Sequence, residues 1–306
     1  MRFVYTLIFT VFIYSFGIAQ STDLMLNLEE GQVYRQRTSS TATINQNVSG
    51  QEINMVMTIN GTMSFLVKSQ TAAGYELETS FNSLSMSMEM PQGKLEFSSE
   101  NADSTDVFST ILSAMKDKSF LTIMDKKGKV SEVRNVESLW DNAINNFEQI
   151  PPMQREQIKA QIMKAYGAEA LKGNMEMVTS IYPEKPVQIG DKWNVVTNLE
   201  SGMSAIMTTE YELVTIADDY VQIGGSSVIQ TADKDAYVET NGMPLKYDMK
   251  GSMVSEIKVD KSTGWIREAK ISQEISGDAY IKRNSQMPEG LKIPMVMKNE
   301  LLITNQ

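Results

Sequence analysis

The sequence predicts a mainly β protein with a central helical segment: long antiparallel strands in a strongly curved sheet or half-barrel, covered by helices. Three observations carry this expectation. Apolar and polar residues alternate with period two over long stretches early and late in the chain, the middle switches to helical spacing, and turn residues recur between the alternating runs.

In chain order, residues 1–19 read as a secretory signal, with Arg2 as the charged start, an uncharged run over 3–16, and Gly17 and Ala19 framing Ile18. Cleavage is expected after Ala19, since the run is short for a membrane span and no stop-transfer pattern follows. The remainder, 20–306, is expected to be one domain: a β block over 20–134, a helical segment over 135–182 and a second β block over 183–306.

In the first block, Ile53, Met55, Met57 and Ile59 alternate with Asn54, Val56 and Thr58, as one face of a strand would. Turn signals stand at Ser49-Gly50, Asn60-Gly61, Ala73-Gly74 and Gln92-Gly93. The alternation continues past Asn60-Gly61 through Met63, Phe65 and Val67, which suits a bulge within one long strand instead.

Ser104 or Asp106 can cap a short helix through Met115. Val136, Leu139, Trp140, Ala143, Ile144, Phe147 and Ile150 follow helical spacing until Pro151-Pro152. A further helix is expected over 152–166 with Ile158, Ile162 and Ala165 inward and Gly167 as stop or elbow. Residues 168–181 read two ways, with Met175 and Met177 suiting a strand face while Glu169, Ala170, Leu171 and Lys172 favour helix.

The strand pattern resumes with Trp193, Val195 and Thr197 and runs over 207–216, 220–229, 245–259, 265–275 and 291–304. Its turn signals are Asp218-Asp219, Gly224-Gly225, Asn241-Gly242 and Ser262-Thr263-Gly264. Two landmarks repeat in order and suggest an internal duplication. Gly31-Gln32-Val33-Tyr34 parallels Gly190-Asp191-Lys192-Trp193, and the Asp125 to Val130 turn parallels the Asp260 to Ile266 turn.

Composition narrows function. The chain has neither cysteine nor histidine, which removes disulfides, thiolate nucleophiles, a lipidated anchor cysteine, imidazole bases and His- or Cys-ligated metal. The net charge of −10 disfavours a nucleic-acid partner. Carboxylate chemistry stays open, so a glycoside hydrolase is the remoter alternative. Glu76/Glu78 and Glu210/Glu212 lie two apart, as solvated strand faces do.

The 22 methionines are the notable excess. Met55/Met57, Met86/Met88/Met90, Met175/Met177 and Met295/Met297 fall at period two. Core packing, a plastic apolar pocket and a Cu(I) thioether site each use such faces, and the absent His and Cys count against copper. Trp140, Trp193 and Trp265 read as core anchors. Asp103-Ser104-Thr105 is either a helix cap or a short glycosylation acceptor.

Leu26-Asn27-Leu28 with Gly31-x-x-Tyr34, Met86 to Pro91 with Phe97-Ser98, Asp106-Val107-Phe108, Tyr166-Gly167, and above all Tyr182-Pro183-x-Lys185-Pro186-Val187-x-x-Gly190-Asp191-x-Trp193 form a recognisable set. In these residues the chain resembles an uncharacterised family of exported proteins, known chiefly from Bacteroidota and carrying a domain-of-unknown-function label. The resemblance implies no catalytic set. Many relatives carry a lipobox cysteine that this chain lacks. The plan is also similar to the half-barrel carriers of lipoproteins, where a curved sheet and a helical lid enclose an apolar cavity.

The expected protein is therefore exported, periplasmic or extracellular, without an integral membrane segment after cleavage, non-enzymatic and cofactor-free. It would hold a lipid or other apolar small molecule between sheet and helices, lined by Met55, Met57, Met86, Met88, Met90, Trp140 and Phe147. The alternative is a structural or interaction module of the envelope without a ligand.

Overall fold

A computed structural model describes residues 21–101, 106–145, 151–201, 203–240, 243–283 and 287–306. The expected signal, Asp103-Ser104-Thr105, Phe147, Ile150 and Asn241-Gly242 lie outside these residues. The first block holds β1 (Val33–Val48), β2 (Gln51–Gln70), β3 (Gly74–Met90), β4 (Gly93–Ser98), β5 (Ser119–Asp125) and β6 (Val130–Arg134). The second holds β7 (Lys192–Ser201), β8 (Met203–Ile216), β9 (Tyr220–Thr231), β10 (Val238–Thr240), β11 (Met243–Asp260), β12 (Ile266–Ile281) and β13 (Leu291–Asn305). α1 (Val107–Met115) lies within the first block, between β4 and β5, while α2 (Val136–Asn145), α3 (Pro152–Tyr166) and α4 (Ala168–Thr179) lie between the two blocks.

These strands form one curved, unclosed antiparallel sheet in the order β6-β5-β3-β2-β1-β13-β12-β11-β9-β8-β7, with β4 added to β3 and β10 to β11. The turn chemistry sets the hairpins. Ser49 and Gly50 take φ of 54° and 88°, the paired left-handed residues of a tight hairpin, and the Gly50 N–H donates to Asn47 Oδ1 at 2.9 Å. Asn60-Gly61 runs inside β2, opposite Ser39 and Thr38, and the register shift falls beside it at Thr62/Met63.

Gly224-Gly225 is a correction to the expected turn, because both residues lie within β9. A Cβ on Gly225 would stand 2.4 Å from Ser255 Oγ and 2.8 Å from the Tyr211 ring, so the glycine serves close packing across the sheet. The ambiguous segment over 168–181 is largely α4, where helix formers prevail, and the Met175/Met177 pair is no strand face. Asp106 caps α1, accepting from the N–H groups of Phe108 and Ser109.

The first suspected repeat matches bond for bond, and the second uses the same aspartate-and-glycine turn with one residue more. Gly31 and Gly190 have φ of 83° and 90°, and their N–H groups donate to Val67 and Leu213 O at 2.9 and 2.8 Å. Val67 and Leu213 donate back to Gln32 and Asp191 O, and each stands at a register shift. In the second landmark, Asp125 Oδ1 accepts from Lys127 and Lys129 N–H, and Asp260 Oδ1 from Ser262 and Thr263 N–H. Gly128 and Gly264 then close the turns at φ of 81° and 69°.

One end of the curved sheet is filled by the chain itself. Leu24, Leu26 and Leu28 are buried there, with Leu26 N–H bonded to Lys126 O at 2.8 Å and Asn27 N–H to Thr263 O at 2.7 Å. The Tyr75 hydroxyl donates to Leu26 O at 2.9 Å and accepts from Leu28 N–H at 3.1 Å. Trp265 packs on Tyr34 and Phe65, and Tyr182 donates to Gly264 O.

The edge strands β6 and β7 do not pair with one another; α4 touches both and fills the seam. Gly173 lets the helix lie on β7, since a Cβ there would stand 2.9 Å from Asn198 O. On the β6 side, Glu176 accepts the Val130 N–H at 3.0 Å and Thr179 donates to Gly128 O at 2.6 Å. Burial pushes the Glu176 carboxyl above its ordinary value, against the opposing pull of Lys172, the Val130 N–H and Lys129, while Asp125 adds to the rise.

A raised carboxyl pKa contributes stability below the ordinary carboxylate range and loses it as pH rises through the folded value. Glu176→Gln keeps an acceptor for Val130 and removes the titration. The variant is therefore expected to match the parent in melting temperature in mild acid and exceed it above neutrality. A parallel pH dependence for the two proteins would contradict this.

Candidate functional site

The pairing register sorts every strand residue to one of two faces. The inner face collects Ala42, Ile44 and Gln46 of β1; Ile53, Met55, Met57 and Ile59 of β2; and Met86, Met88 and Met90 of β3. Met295 and Met297 of β13 continue it, with Ile275, Met249, Met253 and Met207 beyond. Followed through the register, no Asp, Glu, Lys or Arg of the described strands stands on this face. The charged side chains alternate outward, where Lys192 lies between Glu210 and Glu212 at 2.8 and 3.7 Å and Lys68 meets Glu78 at 3.1 Å.

Burial along the inner face is uneven. Met207, Met249 and Met253 are sealed at 1–2% exposure, and the end near the Leu24–Leu28 segment is equally closed. By contrast Ile44, Ile53, Met55, Met57, Ile59, Met86, Met88, Met90, Met295 and Met297 are only half-buried. The helices explain the difference, since they pack mainly on β4, β5, β6 and β7 and leave the far ends of β1, β2 and β13 uncovered.

Five of the expected lining residues thus share one half-open surface. Met57 and Met88 are direct cross-strand partners, Met55 pairs with Ile44, and Met86 pairs with Ile59. Trp140 is elsewhere: it is buried in the helical cluster, stacked on Tyr166, with Nε1 donating to Tyr166 O at 3.1 Å. Its helical spacing identified a core anchor and not a pocket wall. Met295 and Met297 carried the same period-two signal, and the register brings Met297 opposite Ile44.

Ile44 and Gln46 gave no such signal, because β1 alternates Thr38, Ser40 and Ala42 with Ser39, Thr41 and Thr43, and neither set stands out as apolar. Where β1 and β2 meet β12 and β13, an open cavity of about 680 Å³ is lined by Asn45, Gln46, Asn47, Glu52, Ile53, Asn54, Pro91, Ser276, Gly277, Pro294, Met295 and Val296. Among the described residues, no group of three or more acidic side chains is arranged to hold a metal ion. No helix among them is long and apolar enough to cross a membrane.

These features define an open, single-sheet antiparallel half-barrel, with one end packed and the other presenting a charge-free, methionine-rich inner face. The chain belongs to the family of unknown function DUF6263, whose model matches residues 72–266. No curated protein sequence matches it. Among solved structures, lipovitellin, described for its lipid–protein interactions, aligns over 92% of this chain with a TM-score of 0.49 and 8% identity. This chain spans only 25% of that lipovitellin chain. An outer-membrane channel from Pseudomonas putida F1 aligns over 92% of this chain and 97% of its own, with a TM-score of 0.28 and 7% identity.

Proposed function

We propose that this is an exported, non-catalytic protein that holds an apolar ligand with an acyl-like tail against the open part of the inner face. One observation carries the reading: a continuous set of half-buried apolar side chains, without a charge among them, that the helices do not cover. A structural module would be expected to close such a face, because each square ångström of apolar surface left in water forfeits about 25 cal/mol. Thioethers suit the role, being flexible and polarizable enough to pack against tails of differing shape.

The test is titration of the delipidated protein with a diacylglycerol carrying a pyrene-labelled chain, followed by emission and native mass spectrometry. Saturable uptake at one ligand per chain is expected. Failure to take up the labelled lipid would leave the envelope-module alternative.

A further inference from the structure

Resting on that reading, we propose that the place where the open part of the inner face closes holds an uncharged hydrogen-bond acceptor of the ligand, such as an ester carbonyl, with Gln36 Nε2 and Trp265 Nε1 as its donors. Among the described residues, both nitrogens are buried without a hydrogen-bond partner. Gln36 is 7% exposed and Trp265 2%. The register places them at the same end of the inner face. Tyr34 and Gln36 are successive inner-face residues of β1, opposite Phe65 and Met63 of β2. The Trp265 ring packs on that same row, its centroid 5.1 Å from Tyr34 and 5.2 Å from Phe65.

The apolar face leads down to this point. On β1 the inner-face residues Gln46, Ile44, Ala42, Ser40 and Thr38 are half-buried and Gln36 is the first sealed one; on β2 the half-buried inner-face run from Ile53 to Met63 ends at Phe65 in the same way. Along that path the Ser40 hydroxyl is already engaged by Asn299 at 2.8 Å. Ala42, the partner of Met57, stands six residues from Gln36, about 20 Å at roughly 3.3 Å per residue, so a ligand that touches both is long and narrow. An indole N–H only donates, so the group that meets Trp265 must accept. A buried donor left unpaired costs free energy, and one carbonyl oxygen, with two lone pairs, can satisfy both nitrogens. The acceptor is uncharged because no Lys or Arg of the described strands stands on this face: Arg35 and Arg37 flank Gln36 in sequence and alternate outward. A carboxylate there would lose water and gain no cation.

The experiment uses three ligands with the same pyrene-labelled tail: a hydrocarbon, its methyl ester and its carboxylate above neutral pH. Gln36→Leu and Trp265→Phe are each expected to weaken the methyl ester about tenfold, as loss of one hydrogen bond would, and to leave the hydrocarbon unchanged. Unchanged hydrocarbon binding also shows that each variant folds. An isotopically labelled ester carbonyl is expected to absorb at lower infrared frequency when bound to the parent protein, and part of that shift should vanish in Gln36→Leu. If the variants weaken ester and hydrocarbon alike, or weaken neither, or if the carbonyl does not shift, the acceptor site is wrong while tail binding stands. A carboxylate that binds as tightly as the ester would overturn the uncharged acceptor. If neither the hydrocarbon nor the labelled diacylglycerol binds, the apolar-ligand reading fails and takes the acceptor site with it.

Discussion

Met57→Lys/Met88→Lys is expected to reduce uptake of the labelled diacylglycerol at least tenfold while changing the melting temperature by only a few degrees. The two residues are cross-strand partners on the half-buried stretch, so both ammonium groups would enter the surface a tail must cover. A tenfold loss corresponds to about 1.4 kcal/mol, well below the cost of covering an unpaired charge with hydrocarbon. The fold should tolerate the change, because a lysine stem can lie along apolar surface with its head in water, and two like charges in register cost about 0.2–1 kcal/mol. Met57→Leu/Met88→Leu, with similar volume and no charge, should retain most of the uptake. Probe titration with circular dichroism of each variant checks both halves of the expectation.

Gly264→Val is expected to be strongly destabilising, costing on the order of 4 kcal/mol. Gly264 has φ of 69°, and a Cβ there would stand 2.2 Å from Met25 O and 3.1 Å from Leu26 Cα. The obstacles are backbone atoms and cannot rotate aside. The segment bearing Leu24, Leu26 and Leu28 would have to leave, opening the packed end of the sheet and freeing the Asn27 to Thr263 bond. Gly50→Ala is the matched control: φ is 88° and nothing lies within 4 Å, so only backbone strain of about 1 kcal/mol applies. Chemical denaturation of both variants separates strain from collision, and equal midpoints would refute the packing account.

Much of the architecture was legible in the chain because its causes are local. Period-two alternation placed the long strands, and the landmark turns were readable because an aspartate and a left-handed glycine must sit at fixed positions in them. The methionine face was legible for the same reason, since Met55, Met57, Met86, Met88 and Met90 each carry their parity in sequence. What escaped was set by contacts between distant segments. Gly224-Gly225 reads as a turn until Ser255 and Tyr211 are seen pressing on Gly225 from neighbouring strands. Residues 168–181 stayed ambiguous because helix propensity and methionine spacing disagree, and the place of α4 between β6 and β7 resolves them. Trp140 was expected both as a core anchor and in the lining, and α2 and α3 use it to hold one another.

The seam gives the molecule a mechanical property that a fully laced barrel lacks. Around most of the circumference, changing the bore would mean breaking rows of backbone hydrogen bonds between strands. At α4 the wall is joined by side-chain packing, with the Glu176 and Thr179 contacts tying it to β6 and its turn. A shift of this one helix would change the girth of the half-barrel while every strand pair stayed intact.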